Sequence, residues 1–196
     1  MTFSTPRETL DELDGLLSAG AARLGRTRLV SIDGPAGSGK TTLARDLAER
    51  VRERGSSVEV FHLDEALDGW TGLDVGVGQL LTTVLVPLSD GRPGSYRRYD
   101  WVAKEWAEDV TVPVTDVLIV EGCGSAPRAA AEWTNLVVAV STDAATRLAR
   151  GLARDGESMR AEWLRWMELE ETVFVRERVR ERAHVHVDGV GQIVSR

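Results

Sequence analysis

A glycine-rich segment with a lysine and a threonine at its end carries the clearest chemical signal in the sequence. Residues 34–41 match the pattern G-x-x-x-x-G-K-[ST] at every fixed position. Glycines in such a loop let successive backbone N–H groups point inward as a nest for anionic oxygens, and the following helix adds the positive end of its dipole. Lys40 can reach the β- and γ-phosphates, and the Thr41 hydroxyl can ligate Mg²⁺. The segment predicts a site for a magnesium-bound nucleoside triphosphate, held by Gly34, Pro35, Ala36, Gly37, Ser38, Gly39, Lys40, Thr41 and Thr42.

Carboxylates follow two of the predicted strands, at the ends where an open parallel sheet binds its ligands. Asp64 and Glu65 come after the run 58–62, and Glu121 closes a run of apolar residues. We assign Asp64 as the general base for a hydroxyl acceptor and Glu121 to the Mg²⁺ shell, through water. The alternatives are a helix cap or turn residue for Asp64 and a solvated strand end for Glu121. The residues alone leave open whether Asp64 or Glu65 is the base.

Three arginines lie three and four positions apart in a predicted helix and therefore share one of its faces. Arg147, Arg150 and Arg154 follow the apolar run 136–140, which would place them over the nucleotide as a lid of about residues 143–160. We predict catalytic contacts from Arg147 and Arg150 and a nucleotide contact from Arg154. A solvated basic stripe is the alternative interpretation.

Short apolar runs alternate with helical patterns along the chain, which is typical of a parallel sheet covered by helices on both faces. Right-handed crossovers then predict a single doubly wound α/β domain over residues 1–196. Strands are predicted at 28–33, 58–62, 116–121, 136–140 and 185–187, and 96–101 is either a short strand or irregular. Helices are predicted at 6–24, 40–54, 73–86 (ended by Pro87), 126–134, from a cap at Ser141 or Thr142 to about 155, and 159–182. The helix at 6–24 could cover the sheet edge or a partner subunit, so a homodimer stays open.

Composition narrows the classes of partner. The net charge is −7, from 24 basic and 31 acidic residues, which disfavours general nucleic-acid binding because that affinity depends on neutralising phosphates. No apolar run approaches the ~20 residues that span a bilayer, and the acidic N-terminal residues are unlike a signal peptide. The single cysteine excludes an internal disulfide and a cysteine-built metal cage. We expect a cytoplasmic protein that binds neither nucleic acid nor membranes.

Features that the sequence lacks argue against two classes of nucleotide-binding protein, GTPase switches and mechanical ATPases. There is no guanine-specificity motif of the N-K-x-D type, and the chain is short for a mechanical ATPase. These observations favour a small phosphotransferase that moves the γ-phosphoryl group of Mg·ATP to the hydroxyl of a small molecule. The alternative is a nucleotide-binding regulatory module of the same fold that catalyses no transfer.

Over about residues 28–189 the sequence resembles the uridine kinase-like branch of the P-loop kinases. The resemblance rests on the phosphate loop, His62-Leu63-Asp64-Glu65, Tyr99-Asp100-Trp101, Val120-Glu121-Gly122, the stretch from Asp143 to Asp155, and the tail 182–189. It implies ATP-dependent transfer to a hydroxyl with Asp64 as base. It also implies that Arg147, Arg150 and Arg154 clamp phosphate and that Tyr99 lines the acceptor pocket.

Three departures from the family pattern leave the acceptor open. Glu65-Ala66-Leu67 replaces a small residue or Asp followed by an aromatic pair, and Arg150-Gly151 replaces a pair of arginines. Lys104 stands five residues after Tyr99, where a nucleoside kinase has a base-contacting histidine, and we predict that Lys104 contacts the acceptor. A nucleoside, a sugar, a sugar acid or another small alcohol fits this pattern. Arg98 is either a ligand for an anionic acceptor or solvated surface charge.

Overall fold

A six-stranded sheet forms the centre of the protein in a computed structural model, which describes residues 5–195. Its strands are β1 (Arg28–Asp33), β2 (Val58–His62), β5 (Val117–Gly122), β6 (Thr134–Ser141), β7 (Val185–Asp188) and β8 (Ile193–Ser195). They lie in the order β2-β5-β1-β6-β7-β8, and all but the edge strand β8 are parallel. β5 is buried along its whole length, as expected for a strand covered on both faces. The predicted α/β class is confirmed.

Helices cover both faces of this sheet. They are α1 (Arg7–Ala19), α2 (Lys40–Glu53), α3 (Leu73–Gln79), α4 (Val86–Ser89), α5 (Ala144–Asp155), α6 (Arg160–Glu177) and α7 (Val179–Arg182). Alternate side chains of a strand point to opposite faces, so Val30 packs with α1 and α2 while Leu29 packs with α3 and α6. No helix within residues 5–195 is both long and apolar enough to cross a membrane.

The N-terminal helix is shorter than the predicted span 6–24. It ends before Gly20, whose backbone is extended, and Leu24 instead forms a β-bridge with Thr27. Leu13 and Leu17 are fully buried in the core that α1 shares with α2 and the sheet. The helix therefore packs on its own chain, against α2 and the inner strand β6, and not at the sheet edge.

A second, two-stranded sheet stands beside the main one. It is a hairpin of β3 (Gly94–Asp100) and β4 (Glu105–Val112), whose turn holds Lys104 in the left-handed conformation with a φ of 58°. The sequence predicted at most one short strand here, at 96–101. β4 escaped prediction because its residues are mostly exposed or only half-buried, so the apolar pattern is weak.

One predicted helix is present but ends later than expected, and one helix prediction was wrong. The helix predicted at 73–86 runs past Pro87, because α3 continues through a π-helical segment, Leu80–Leu85, into α4, where Pro87 occupies the first turn. The helix predicted at 126–134 is only a 3₁₀ turn, Arg128–Ala130, and Thr134 already belongs to β6. Pro127 disfavours helical backbone at the residue before it.

Two helix ends also differ from prediction. Asp143, not Ser141 or Thr142, caps α5, since its Oδ1 accepts a hydrogen bond from Thr146 N at 2.9 Å. The helix predicted at 159–182 is divided at Arg178, which adopts the left-handed conformation between α6 and α7.

Candidate active site

The phosphate loop joins β1 to α2 and lies under the backbone of α5. A Cβ atom at Gly37, where φ is 76°, would lie 2.9 Å from the carbonyl oxygen of Arg147, so a glycine is needed there. Lys40 is buried, and its Nζ donates to Pro35 O at 2.9 Å. The Ser38 hydroxyl is buried without a hydrogen-bond partner among residues 5–195. The loop is thus packed against α5, and its Ser38 hydroxyl is left without a hydrogen-bond partner by the described residues.

Asp33, the last residue of β1, fastens the start of the loop to the segment after β5. Its Oδ1 accepts from Gly34 N at 2.7 Å and Gly124 N at 3.0 Å, and its Oδ2 accepts from Ala126 N at 2.8 Å. Burial raises the pKa of Asp33 to about 6, against the lowering effect of these bonds and of Lys40. Asp33 therefore has a structural role that the sequence analysis missed.

A buried ion pair fastens the middle of the loop to α5 and α6. Glu170 is 1% exposed, and it accepts from Ala36 N at 2.8 Å and from an Arg147 guanidinium nitrogen at 2.5 Å. The same nitrogen of Arg147 donates to Ala36 O at 3.2 Å. Arg147, predicted as a lid residue, is thus packed against the outside of the loop.

The other two arginines of the predicted lid follow on the same helix. Arg150 donates to the carbonyl oxygens of Gly37 at 3.0 Å and Gly189 at 3.3 Å. Arg154 is largely exposed and pairs with Asp155, with an Nε–Oδ1 distance of 2.7 Å. Arg147 and Arg150 thus join α5 to the phosphate loop, whereas Arg154, in the last turn, pairs with Asp155 and lies over the Trp163 ring, 5.7 Å from its centroid.

The predicted metal-binding oxygens come together at the ends of β1, β2 and β5. Thr41 Oγ1 donates to Glu121 Oε1 at 3.1 Å, and His62 Nδ1 lies 2.7 Å from the same oxygen. Glu121 is 4% exposed, whereas about a third of the His62 side chain is accessible. The hydrogen bond to Glu121 raises the pKa of His62, against the opposing effect of burial.

Asp64 lies on a 3₁₀ turn, Leu63–Ala66, that follows β2 directly. Its pKa is raised, first because surrounding protein atoms desolvate the carboxylate and then because Glu121 is close; Lys40 and Arg154 oppose the shift. The residue nevertheless remains exposed to solvent. Neighbouring Glu65 accepts a hydrogen bond from the Tyr96 hydroxyl at 2.5 Å and is half-buried, which leaves Asp64 as the more accessible of the two carboxylates.

Aromatic side chains connect the hairpin with Asp64. Trp101 Nε1 donates to the backbone oxygen of Asp64 at 2.9 Å. The Trp101 ring lies edge-on to Tyr99 and Trp70, with centroid distances of 5.5 and 5.7 Å. Trp70 in turn lies 6.0 Å from Trp163. The hairpin tip is therefore packed against the turn that carries the predicted base.

The two cationic residues predicted to bind the acceptor lie on the same hairpin. Arg98 forms two hydrogen bonds with the Glu108 carboxylate, at 2.7 and 3.0 Å, on an exposed surface. Lys104 is exposed in the hairpin turn, where its backbone nitrogen donates to Asp100 O at 2.7 Å. The structure brings Tyr99 next to Trp101 but leaves Arg98 and Lys104 on solvent-facing parts of the hairpin.

Comparisons with known sequences give local matches only. No family model matches the chain. A tRNA dimethylallyltransferase from Bifidobacterium animalis subsp. lactis is 30% identical over 121 residues, which is 58% of this chain and 35% of that protein. One from Clavibacter sepedonicus is 37% identical over 54 residues, 28% of this chain and 17% of that protein. The chain thus spans about a third or less of the curated relatives it matches.

Comparisons with solved structures cover nearly the whole chain. A possible uridine kinase from Bacillus stearothermophilus superposes with a TM-score of 0.70 at 24% identity, over 93% of this chain and 98% of that one. The chain has the uridine kinase-like P-loop kinase fold. D-glycerate 3-kinase from Cryptococcus neoformans var. grubii shares this fold, with a TM-score of 0.60 at 12% identity over 95% and 97% of the two chains.

Two departures from the uridine kinase-like pattern now have a structural reason. A Cβ atom at Gly151 would lie 2.3 Å from the Trp163 ring, so a second arginine does not fit after Arg150 while Trp163 packs there. Glu65 is engaged by the hydroxyl of Tyr96, which belongs to β3. Both departures thus accompany a contact with an aromatic residue, Trp163 or Tyr96.

Three residues of this kinase-fold site were missed by the sequence analysis. Glu170 interrupts the apolar stripe of α6 between Trp166 and Val173, and a carboxylate in a buried helical stripe was the available signal. Asp33 offered a similar signal, since it is a carboxylate at the end of a buried, largely apolar strand. His62 gave no signal, because its meaning depends on the neighbouring strand β5.

Proposed function

We propose that this protein is a small-molecule kinase that transfers the γ-phosphoryl group of Mg·ATP to a hydroxyl group. The observation that carries the proposal is the convergence of two oxygen donors, Thr41 and Glu121, beside a phosphate loop with a buried lysine. Asp64 lies at the end of the neighbouring strand, with a pKa that responds to both Lys40 and Glu121. A phosphate loop, a magnesium site and a base together are what phosphoryl transfer to an alcohol requires.

The residues present fit a magnesium-bound nucleotide. Hydroxyl and carboxylate oxygens are the ligand types that Mg²⁺ prefers, and it usually keeps several waters besides them. The buried Ser38 hydroxyl has no hydrogen-bond partner among the described residues. Within the same residues, 5–195, the Lys40 ammonium donates to only one oxygen, that of Pro35. When bound, the metal neutralises charge on the β- and γ-phosphate oxygens.

The roles of the side chains follow from their positions. Lys40 would move from Pro35 O to the phosphate oxygens, and Thr41 and Glu121 would orient the metal shell. Asp64 would accept the proton of the acceptor hydroxyl as the hydroxyl oxygen bonds to the γ-phosphorus, while the bond from that phosphorus to the β–γ bridging oxygen breaks and ADP leaves. The raised pKa makes Asp64 a stronger base than an ordinary aspartate. Arg150 and Arg154 would stabilise the charge on the transferring group, while Arg147 keeps the loop in shape through Glu170.

The acceptor is proposed only as a small molecule with a hydroxyl group, such as a nucleoside, a sugar or a related alcohol. Tyr99 is the predicted pocket residue whose position supports this role most directly, since it packs with Trp101 beside Asp64. Roles for Arg98 and Lys104 in acceptor binding stay predictions, as do a homodimer and a cytoplasmic location. The net charge of −7 supports a small molecule rather than a nucleic acid as acceptor.

A coupled assay for ADP release tests the function. The full chain with Mg·ATP is screened against nucleosides, sugars, sugar acids and small alcohols, and at least one class is expected to accelerate ADP release. Lys40→Ala should lower that turnover by about 10²–10³-fold, because it removes a charge that stabilises the transition state. Arg165→Ala, which alters an exposed ion pair on α6, serves as the control and should match the wild type. Tight binding of Mg·ATP without ADP release for any acceptor would instead favour the regulatory module.

A further inference from the structure

His62 contacts the predicted metal ligand Glu121, and the sequence analysis assigned it no role. It lies on the edge strand β2 and is the register partner of Glu121 on β5, so adjacent parallel strands place the two side chains together. Its Nδ1 lies 2.7 Å from Glu121 Oε1, the oxygen that also accepts from Thr41 at 3.1 Å. Two groups from separate elements thus converge on one carboxylate oxygen.

This arrangement restricts the carboxylate. The last torsion of a glutamate has a broad energy minimum, so an unrestrained carboxylate rotates easily. Donors from Thr41 and His62 fix Oε1, and no hydrogen bond to Oε2 is found within residues 5–195. The imidazole can donate from Nδ1 in one neutral tautomer as well as in the cation, so this function does not depend on its charge. Outer residues that hold a metal-binding carboxylate typically change metal affinity about 10–100-fold when removed.

We propose that His62 is a positioning residue that orients Glu121 toward magnesium, an inference that rests on the proposed function of the Thr41–Glu121 pair. The histidine contacts neither the nucleotide nor the acceptor in this role. It acts through Glu121, by keeping Oε1 on the Thr41 side and Oε2 available for the metal or one of its waters.

Calorimetry of ADP binding to the full chain tests this role without any turnover. The affinity is measured with excess Mg²⁺ and again with a chelator, and the ratio of the two affinities reports the metal site. His62→Leu should reduce the ratio about 10–100-fold while leaving the affinity in chelator unchanged. We expect His62→Asn to keep most of the ratio, because the asparagine amide nitrogen can take the position of Nδ1. We expect His62→Gln to lose it, because the glutamine amide nitrogen corresponds to Nε2.

The outcomes separate the inference from the function on which it rests. An unchanged ratio in His62→Leu, or an equal fall in His62→Asn and His62→Leu, would overturn the positioning role. Equal losses of affinity with and without Mg²⁺ would also overturn it, since they indicate a general structural effect. Gln192→Leu, at an exposed position just before the edge strand β8, is the control and should behave as wild type. A wild-type ratio near one would reject the metal site itself, and the proposed function with it.

Discussion

The two halves of the candidate site are built in different ways. On the phosphate side, Asp33 and Glu170 are buried carboxylates that fasten the loop through backbone N–H groups. On the side proposed to bind the acceptor, the polar residues lie near solvent, and an edge-on aromatic cluster around Trp70 and Trp101 joins the hairpin to Asp64. The first half is preorganised by buried polar bonds, and the second by ring contacts at the surface.

This difference predicts how readily each half of the site tolerates amino-acid replacements. A buried hydrogen-bonded carboxylate is costly to alter, because its partners would be left unsatisfied in the interior. Aromatic contacts near the surface tolerate replacement at lower cost, so an acceptor pocket can diverge around a constant phosphate site. The solved structures with this fold include proteins described as a possible uridine kinase and as a glycerate 3-kinase, which is consistent with that expectation.

The largest expected effect lies where the two halves meet, at Asp64. Asp64→Asn keeps the shape of the side chain but cannot accept a proton, so kcat should fall about 10²–10⁴-fold with Mg·ATP affinity unchanged. Because the pKa of Asp64 is raised, its protonation should begin to lower the wild-type kcat at a higher pH than it would for an ordinary aspartate. The kcat of Asp64→Asn should not show this decrease. ADP-release kinetics across pH, with calorimetry for the nucleotide, measure both effects.

Asp68→Asn is the control for Asp64→Asn, because Asp68 is an exposed carboxylate four residues further along the chain. This substitution should change neither kcat nor the affinity for Mg·ATP. Transfer at the wild-type rate by Asp64→Asn would remove it from the base role. Glu65 would then be the next carboxylate to test, although its bond to Tyr96 would have to break first.

The sequence predicted the two halves unequally, for physical reasons. The phosphate loop is contiguous, and its glycines and lysine act within eight residues, so residues 34–41 could be recognised directly. Asp64 and Glu121 were singled out because Asp64 follows a predicted strand and Glu121 closes one. His62 and Glu170 matter only through contacts with Glu121, 59 residues away, and Arg147, 23 residues away, which no local pattern encodes.

The acceptor half shows the same limit more strongly. β4 has little apolar alternation, so the hairpin that carries Tyr99 and Trp101 was not predicted as a unit. The left-handed turn at Lys104 and the pairing of Arg98 with Glu108 depend on that hairpin. Chemical roles suggested for these residues from spacing alone therefore lacked the element that positions them.

Glu170→Ala tests the buried half of the comparison. It leaves the Arg147 guanidinium and the Ala36 N–H without their partner, and loss of one member of a buried pair costs about 3–5 kcal/mol of unfolding free energy. We expect a fall of that order in urea unfolding, together with weaker nucleotide binding. Glu171→Ala is the matched control, because the neighbouring glutamate pairs with Arg180 in solvent and should cost about 1 kcal/mol or less. Equal effects at the two positions would contradict the role given to Glu170.

Trp101→Phe tests the aromatic half. The substitution keeps an aromatic ring beside Tyr99 but removes the N–H donor to Asp64 O, and a hydrogen bond of this kind contributes about 1 kcal/mol. We expect acceptor KM to rise about fivefold at unchanged nucleotide affinity. Trp106→Phe is the control, since Trp106 also contacts Tyr99 but its indole forms no hydrogen bond within residues 5–195. An equal loss of nucleotide affinity would show that the two halves are not separable.

Arg98→Ala should have the smallest effect. Its ion pair with Glu108 is exposed, and pairs of this kind contribute about 0.2–1 kcal/mol, so unfolding free energy should hardly change. If the guanidinium stays with Glu108, acceptor KM should also be unchanged, which kinetics with the best acceptor from the screen will measure. A large rise in KM for an anionic acceptor, with no rise for a neutral one, would instead place Arg98 in the acceptor site. The hairpin would then have to release Arg98 from Glu108 on binding, and the acceptor half would be assembled by its ligand rather than preformed.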